Sequence, residues 1–173
     1  MVRGEWVEGS IMVMKYFTND WFFSRLAEDD MEKIAEQYWN YIDSVFEKLP
    51  FTLKMLAKSL NLHDGIVISS VLEEKSHTLT LELLCGDLQS GYFLLQLIYT
   101  GVSEDSKNLG KFEKFIEVHA AELEVGNGDF FHRWLLSSGS EIEVKFLDVS
   151  LQIYTKTAKD YKDIKALKKQ TAG

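Results

Sequence analysis

Proline and cysteine are almost missing from this 173-residue chain, which holds one of each, Pro50 and Cys85. A proline-rich linker is therefore excluded, and so is a framework of internal disulfides. A lone thiol in an apolar run fits a reducing compartment. No apolar stretch reaches the roughly 18 residues of a membrane span. Residues 1–13 include Glu5, Glu8 and Gly9, which a secretory apolar segment would not contain. The expected location is the cytoplasm, with no membrane contact. Residues 1–13 read as a disordered leader, with Met12 or Met14 as the natural start.

Signatures of chemistry are also scarce. Gly126-Asn127-Gly128 lacks the lysine of a phosphate loop, and no serine sits in a Gly-x-Ser-x-Gly elbow. The four histidines, His63, His77, His119 and His132, show no i, i+4 pair and no zinc spacing. No metal or other cofactor is expected. Cys85 as a nucleophile would need His119 or His132 as its base, but it lies on the apolar face of its strand, where a thiol is filling.

Aromatics are in excess, at 13%, and net charge is −8. The charge is uneven: residues 61–155 carry most of the acid, while 156–173 hold six lysines against two aspartates. An acidic body argues against nucleic acid, because affinity there depends on neutralising phosphates. It suits a protein partner, where charge speeds encounter.

Hydrophobic rhythm gives the fold class. Asn19 or Asp20 caps a short helix holding Trp21, Phe22, Phe23 and Leu26. Asp29 with Glu32 has capping-box spacing. Met31, Ile34, Tyr38, Ile42, Val45 and Leu49 then recur at steps of three and four, the stripe of an amphipathic helix. Pro50 ends it, and Phe51–Leu60 forms the next helix. Past residue 60 the period becomes two. Strands are expected over 66–72, 78–85, 92–100 (central, being apolar on both faces), 120–125, 130–136, 141–146 and 149–154. In 141–146, Ile142, Val144 and Phe146 should face in and Glu141, Glu143 and Lys145 out. The prediction is α+β: N-terminal helices over about 19–60 on a mainly antiparallel sheet of about six strands over 66–154, forming one domain over 14–155. Residues 156–173 read as a basic helical tail.

The sharpest local pair is His63-Asp64, at the step from helix to strand. An imidazole beside a carboxylate is the raw material of acid–base or metal-dependent hydrolysis, with Glu82 or Asp87 as helpers. The plainer reading is a turn in which both side chains bond backbone and Gly65 supplies an unusual φ. Neighbours on an extended chain point to opposite sides, which weakens a direct dyad. Trp21, Phe22, Trp39 and Trp134 are the candidates for an interaction surface.

Met14-Lys15-Tyr16-Phe17-Thr18, followed by Trp21, resembles the opening of an uncharacterised bacterial family, a domain of unknown function. The Leu62-His63-Asp64 step into 66–72, and the hairpins ending in 141–146, are also similar to that family. The resemblance spans most of residues 14–155. It implies a small bacterial cytoplasmic protein and carries no catalytic residue with it. The acidic helix-plus-meander form is also loosely similar to bacterial immunity proteins. The leading expectation is a non-enzymatic protein-binding domain, immunity-like or self-associating. The alternatives are a small hydrolase built on His63 and Asp64, and a ligand-binding module using the sheet face, with a pocket lined by Trp39 or Trp134.

Overall fold

The structure is a computed structural model that describes residues 12–156, together with 162 and 166. Most of the expected leader and nearly all of the expected basic tail lie outside the described residues. Of the leader, Met12 and Val13 are described; Met12 is exposed and Val13 is buried.

Three helical pieces come first. Helix α1 (Asn19–Phe22) starts at Thr18, whose hydroxyl accepts the Trp21 N–H at 3.3 Å. The cap is thus one residue earlier than Asn19 or Asp20, and Asn19 instead donates to the Gly139 carbonyl at 3.0 Å. Helix α2 (Glu28–Val45) follows Ala27 with no side-chain cap. The expected Asp29–Glu32 capping box does not form, because Asp29 is already inside the helix. Glu28, Asp29 and Asp30 in the first turn instead stabilise the positive N-terminal end of the helix dipole. A 3₁₀ turn (Phe46–Lys48) extends α2 until Leu49-Pro50 breaks it. Helix α3 (Phe51–Lys54) then loosens into a π turn (Met55–Ser59), and buries Leu53, Leu56 and Ala57.

Seven strands follow: β1 (Ile66–Glu73), β2 (Thr78–Asp87), β3 (Gly91–Thr100), β4 (Val118–Val125), β5 (Phe130–Leu136), β6 (Glu141–Phe146) and β7 (Asp148–Lys156). All their pairings are antiparallel. They do not make the single sheet of about six strands that the rhythm suggested. They form a four-stranded sheet in the order β1-β2-β3-β7 and a three-stranded sheet β4-β5-β6. At Leu147 the chain bends out of β6, and β7 returns to pair with β3, which places β3 centrally as expected.

The sheets face each other across one core. Leu81, Leu83, Leu95, Leu97 and Tyr99 come from the first, and Trp134, Ile142, Val144 and Phe146 from the second. Tyr99 and Phe146 meet edge to face at 4.9 Å. Backbone bonds stitch the sheets at two places. Val67 donates to the Ile116 carbonyl (2.9 Å) and Phe115 to that of Val67 (2.7 Å); on the other side Leu147 donates to Thr100 (3.1 Å).

The second face of β4-β5-β6 departs from its expected exposure. Glu141 and Glu143 were read as outward-facing, yet both are buried. Residues 13–17 lie over Glu141 and the neighbouring Glu122 as a strap, and Glu143 is held by Arg133 instead. The N–H groups of Val13 and Met14 donate to Glu141 Oε2 (2.5 and 2.8 Å), and those of Lys15, Tyr16 and Phe17 donate to Glu122 (2.5, 3.0 and 3.2 Å). Five backbone donors with no strand partner thus find two carboxylates. Arg133 joins the same face, donating to Glu143 at 2.7 Å and Glu124 at 2.5 Å. Among the described residues no helix is long and apolar enough to cross a membrane.

Candidate functional site

Strand β4 has one edge paired to β5, and its other edge looks toward the helices. Alternation along a strand turns every second residue's N–H and C=O to that open edge. Helix α2 runs beside it and caps part of it. The Tyr38 hydroxyl accepts the Leu123 N–H at 3.0 Å, and the Tyr41 hydroxyl accepts the Val125 N–H at 2.8 Å. Burial raises the Tyr38 phenol, against the lowering effect of the Leu123 bond, and keeps it protonated.

Beyond Tyr38 the helices diverge from the strand and leave a cavity of about 490 Å³. Its walls are Phe17, Trp21 and Phe22 from the strap and α1, Met31, Tyr38 and Trp39 from α2, and Leu56, Ala57 and Leu60 from the α3 region. Residues 119–123 of β4 form the far wall, and His132 also lines it. Trp21 is fixed by its indole N–H, which donates to the Met31 carbonyl at 3.0 Å. Trp39 stays 45% exposed, and Phe23, next to Phe22, is 50% exposed.

His63 and Asp64 belong to this cavity's surroundings, and their geometry corrects two expectations. Asp64 takes a left-handed φ of 62°, so the two neighbours turn toward each other, and His63 Nε2 lies 3.4 Å from Asp64 Oδ1. The left-handed residue is therefore Asp64, not Gly65. Gly65 is needed for space: a Cβ there would sit 2.9 Å from the Leu62 carbonyl oxygen and 3.2 Å from Cys85 Sγ. His63 Nδ1 lies 2.8 Å from the His119 carbonyl oxygen, so it carries the proton and donates across to the β4 edge.

His119 is the residue that sequence reasoning missed as part of the site. Its ring stacks on Phe22 at 4.1 Å with the planes 8° apart. Burial lowers its pKa, nearby His63 lowers it further, and Glu117 and Asp64 pull the other way. His119 Nδ1 is buried with no hydrogen-bond partner. At the floor His132 is held by the Tyr99 hydroxyl (2.7 Å from Nδ1), and burial drops its pKa to about 3, so it is neutral.

The other candidates lie apart. Glu82 is on the outer face of the four-stranded sheet, bonded by Ser69 (2.7 Å) and Gln96 (3.1 Å). Asp87 closes the β2–β3 turn by accepting from Gln89 and Ser90. Neither lines the cavity. Trp134 is wholly buried in the core and offers no surface to a partner. Cys85 is buried, and burial pushes its thiol up to about 12. Among the described residues no three His, Cys, Asp or Glu side chains are grouped to hold a metal ion.

No protein-family model matches the chain, and no curated protein is significantly similar to it.

Proposed function

We propose that this protein is a non-enzymatic binding module for a small, largely apolar molecule, held in the cavity between the helices and the open edge of β4. The observation that carries the reading is the cavity itself. Its 490 Å³ lies within the range of small-molecule sites, which is about 300–1,000 Å³. Its walls are mostly aromatic and aliphatic, with a few polar groups (Asn61, His63, His119) to orient what enters. Trp21 and Phe22, two of the aromatics that suggested a partner-binding surface, are turned onto this space.

Chemistry at His63 and Asp64 has less support. One ring nitrogen of His63 is occupied by the His119 carbonyl, and both side chains are largely exposed. Water is not excluded from them, and a hydrolytic site needs a positioned nucleophile as well.

Calorimetric titration with small neutral aromatic compounds tests the reading. Saturable binding is expected in the wild type, with tryptophan fluorescence changing through Trp21 and Trp39. Leu60→Trp, which fills part of the space from the α3 side, should weaken binding by about ten-fold or more. Binding unchanged in a folded Leu60→Trp variant would place the ligand elsewhere.

A further inference from the structure

The open edge of β4 is capped on both sides of a single residue. Toward the N-terminus the His119 carbonyl is taken by His63 Nδ1 at 2.8 Å. Toward the C-terminus the Leu123 and Val125 N–H groups are taken by the hydroxyls of Tyr38 and Tyr41. Residues 121, 123 and 125 share one edge by alternation, so the N–H and C=O of Ala121 point the same way, into the cavity that Ala121 lines. In an antiparallel pair this donor and acceptor would both bond one residue of a neighbouring strand. Here a strand cannot be added, because side chains of this chain already occupy the positions on either side.

We infer that the cavity takes a planar aromatic ligand carrying a primary carboxamide or lactam edge, whose adjacent N–H and C=O pair with the C=O and N–H of Ala121. The inference rests on the ligand-binding reading above and specifies the class of ligand. Three features converge on it. An amide edge presents a donor and an acceptor side by side, as the missing strand residue would. Ala120 and Ala121 add little side-chain bulk to that wall, so a flat group can approach the backbone. Phe22 and Trp39 supply aromatic surface for the ring. Ala121 is half-buried at the cavity wall, so a ligand whose amide edge pairs with its backbone is favoured over an equally apolar one that cannot and that displaces water from it.

The test compares benzamide, N,N-dimethylbenzamide and toluene against the full-length, ¹⁵N-labelled protein. Benzamide should bind about ten-fold more tightly than N,N-dimethylbenzamide, which lacks the N–H and so loses one net hydrogen bond, and more tightly still than toluene, which loses both. Its binding should shift the Ala121 amide proton downfield more than the Leu123 amide, which Tyr38 already holds. Equal affinity for all three, or a bound state that leaves the Ala121 amide unmoved, overturns the amide pairing while leaving the apolar cavity intact as a binding site. Binding of none of the three overturns both.

Discussion

His132 shows how one buried side chain ties stability to pH. Burial depresses its pKa from 6.5 to about 3, and the Tyr99 hydroxyl is its hydrogen-bond partner. Between those values the unfolded chain takes up a proton that the folded protein refuses. This contribution is therefore complete above pH 6.5 and lost as pH falls toward 3, at about 1.4 kcal/mol per unit. Urea unfolding at pH 7 and pH 5 should show a loss of about 2 kcal/mol from this residue. His132→Gln should lack that share of the pH dependence, whatever its stability at pH 7. A variant that retains it would contradict the buried neutral imidazole. Glu122 works in the opposite direction: burial raises its pKa, so at that residue acid favours the folded form. His63 and Asp64 stood out in the sequence as neighbours. Their mutual approach was not legible, because it depends on a left-handed Asp64. Ala121 carried no signal, and His119 stood out only as a possible base for Cys85. Their roles come from Phe22, His63 and Tyr38, which are remote in sequence and meet them only in the fold.

Elements were more legible than their environments. The α2 stripe correctly marked Tyr38 and Ile42 as buried, β6 lies at the residues its alternation gave, and β5 lies at its expected 130–136. Alternation also made Glu141 and Glu143 look solvent-facing, because a period of two separates the faces without saying what covers each. The cover of Glu141 is residues 13–17, whose backbone needs the carboxylate, and Glu143 is paired with Arg133. The same lesson applies to the edge of β4, where a helix side chain does the work of a strand. Tyr38→Phe keeps the ring and its contacts with Phe17 and Trp39 but leaves the buried Leu123 N–H unsatisfied. The expected cost is about 1–3 kcal/mol in equilibrium unfolding. Tyr41→Phe should cost less, because the Val125 N–H is only partly buried and water can replace the hydroxyl. Equal, negligible costs would mean that the tyrosines do not cap the edge.

At the scale of the whole molecule, the change of rhythm near residue 60 gave α+β with antiparallel pairing. It could not divide the strands between sheets. Hairpins such as β1–β2 and β2–β3 are local, and their turns mark them. The β3–β7 pairing joins Thr100 to Asp148 across an entire second sheet, and no turn signal records it. The division has a functional consequence. With β7 paired to β3, β4-β5-β6 is left as a short sheet: Lys107 bridges its β6 edge, and α2 and the α3 region only partly close its β4 edge. The cavity is the gap that remains. Its most direct test is a crystal of the full-length protein soaked with 4-bromobenzamide, read by bromine anomalous scattering. The account predicts a single strong peak between Phe22, Trp39 and β4, with the amide group against Ala121. A peak elsewhere on the surface, or none at a concentration that saturates binding in solution, would contradict it.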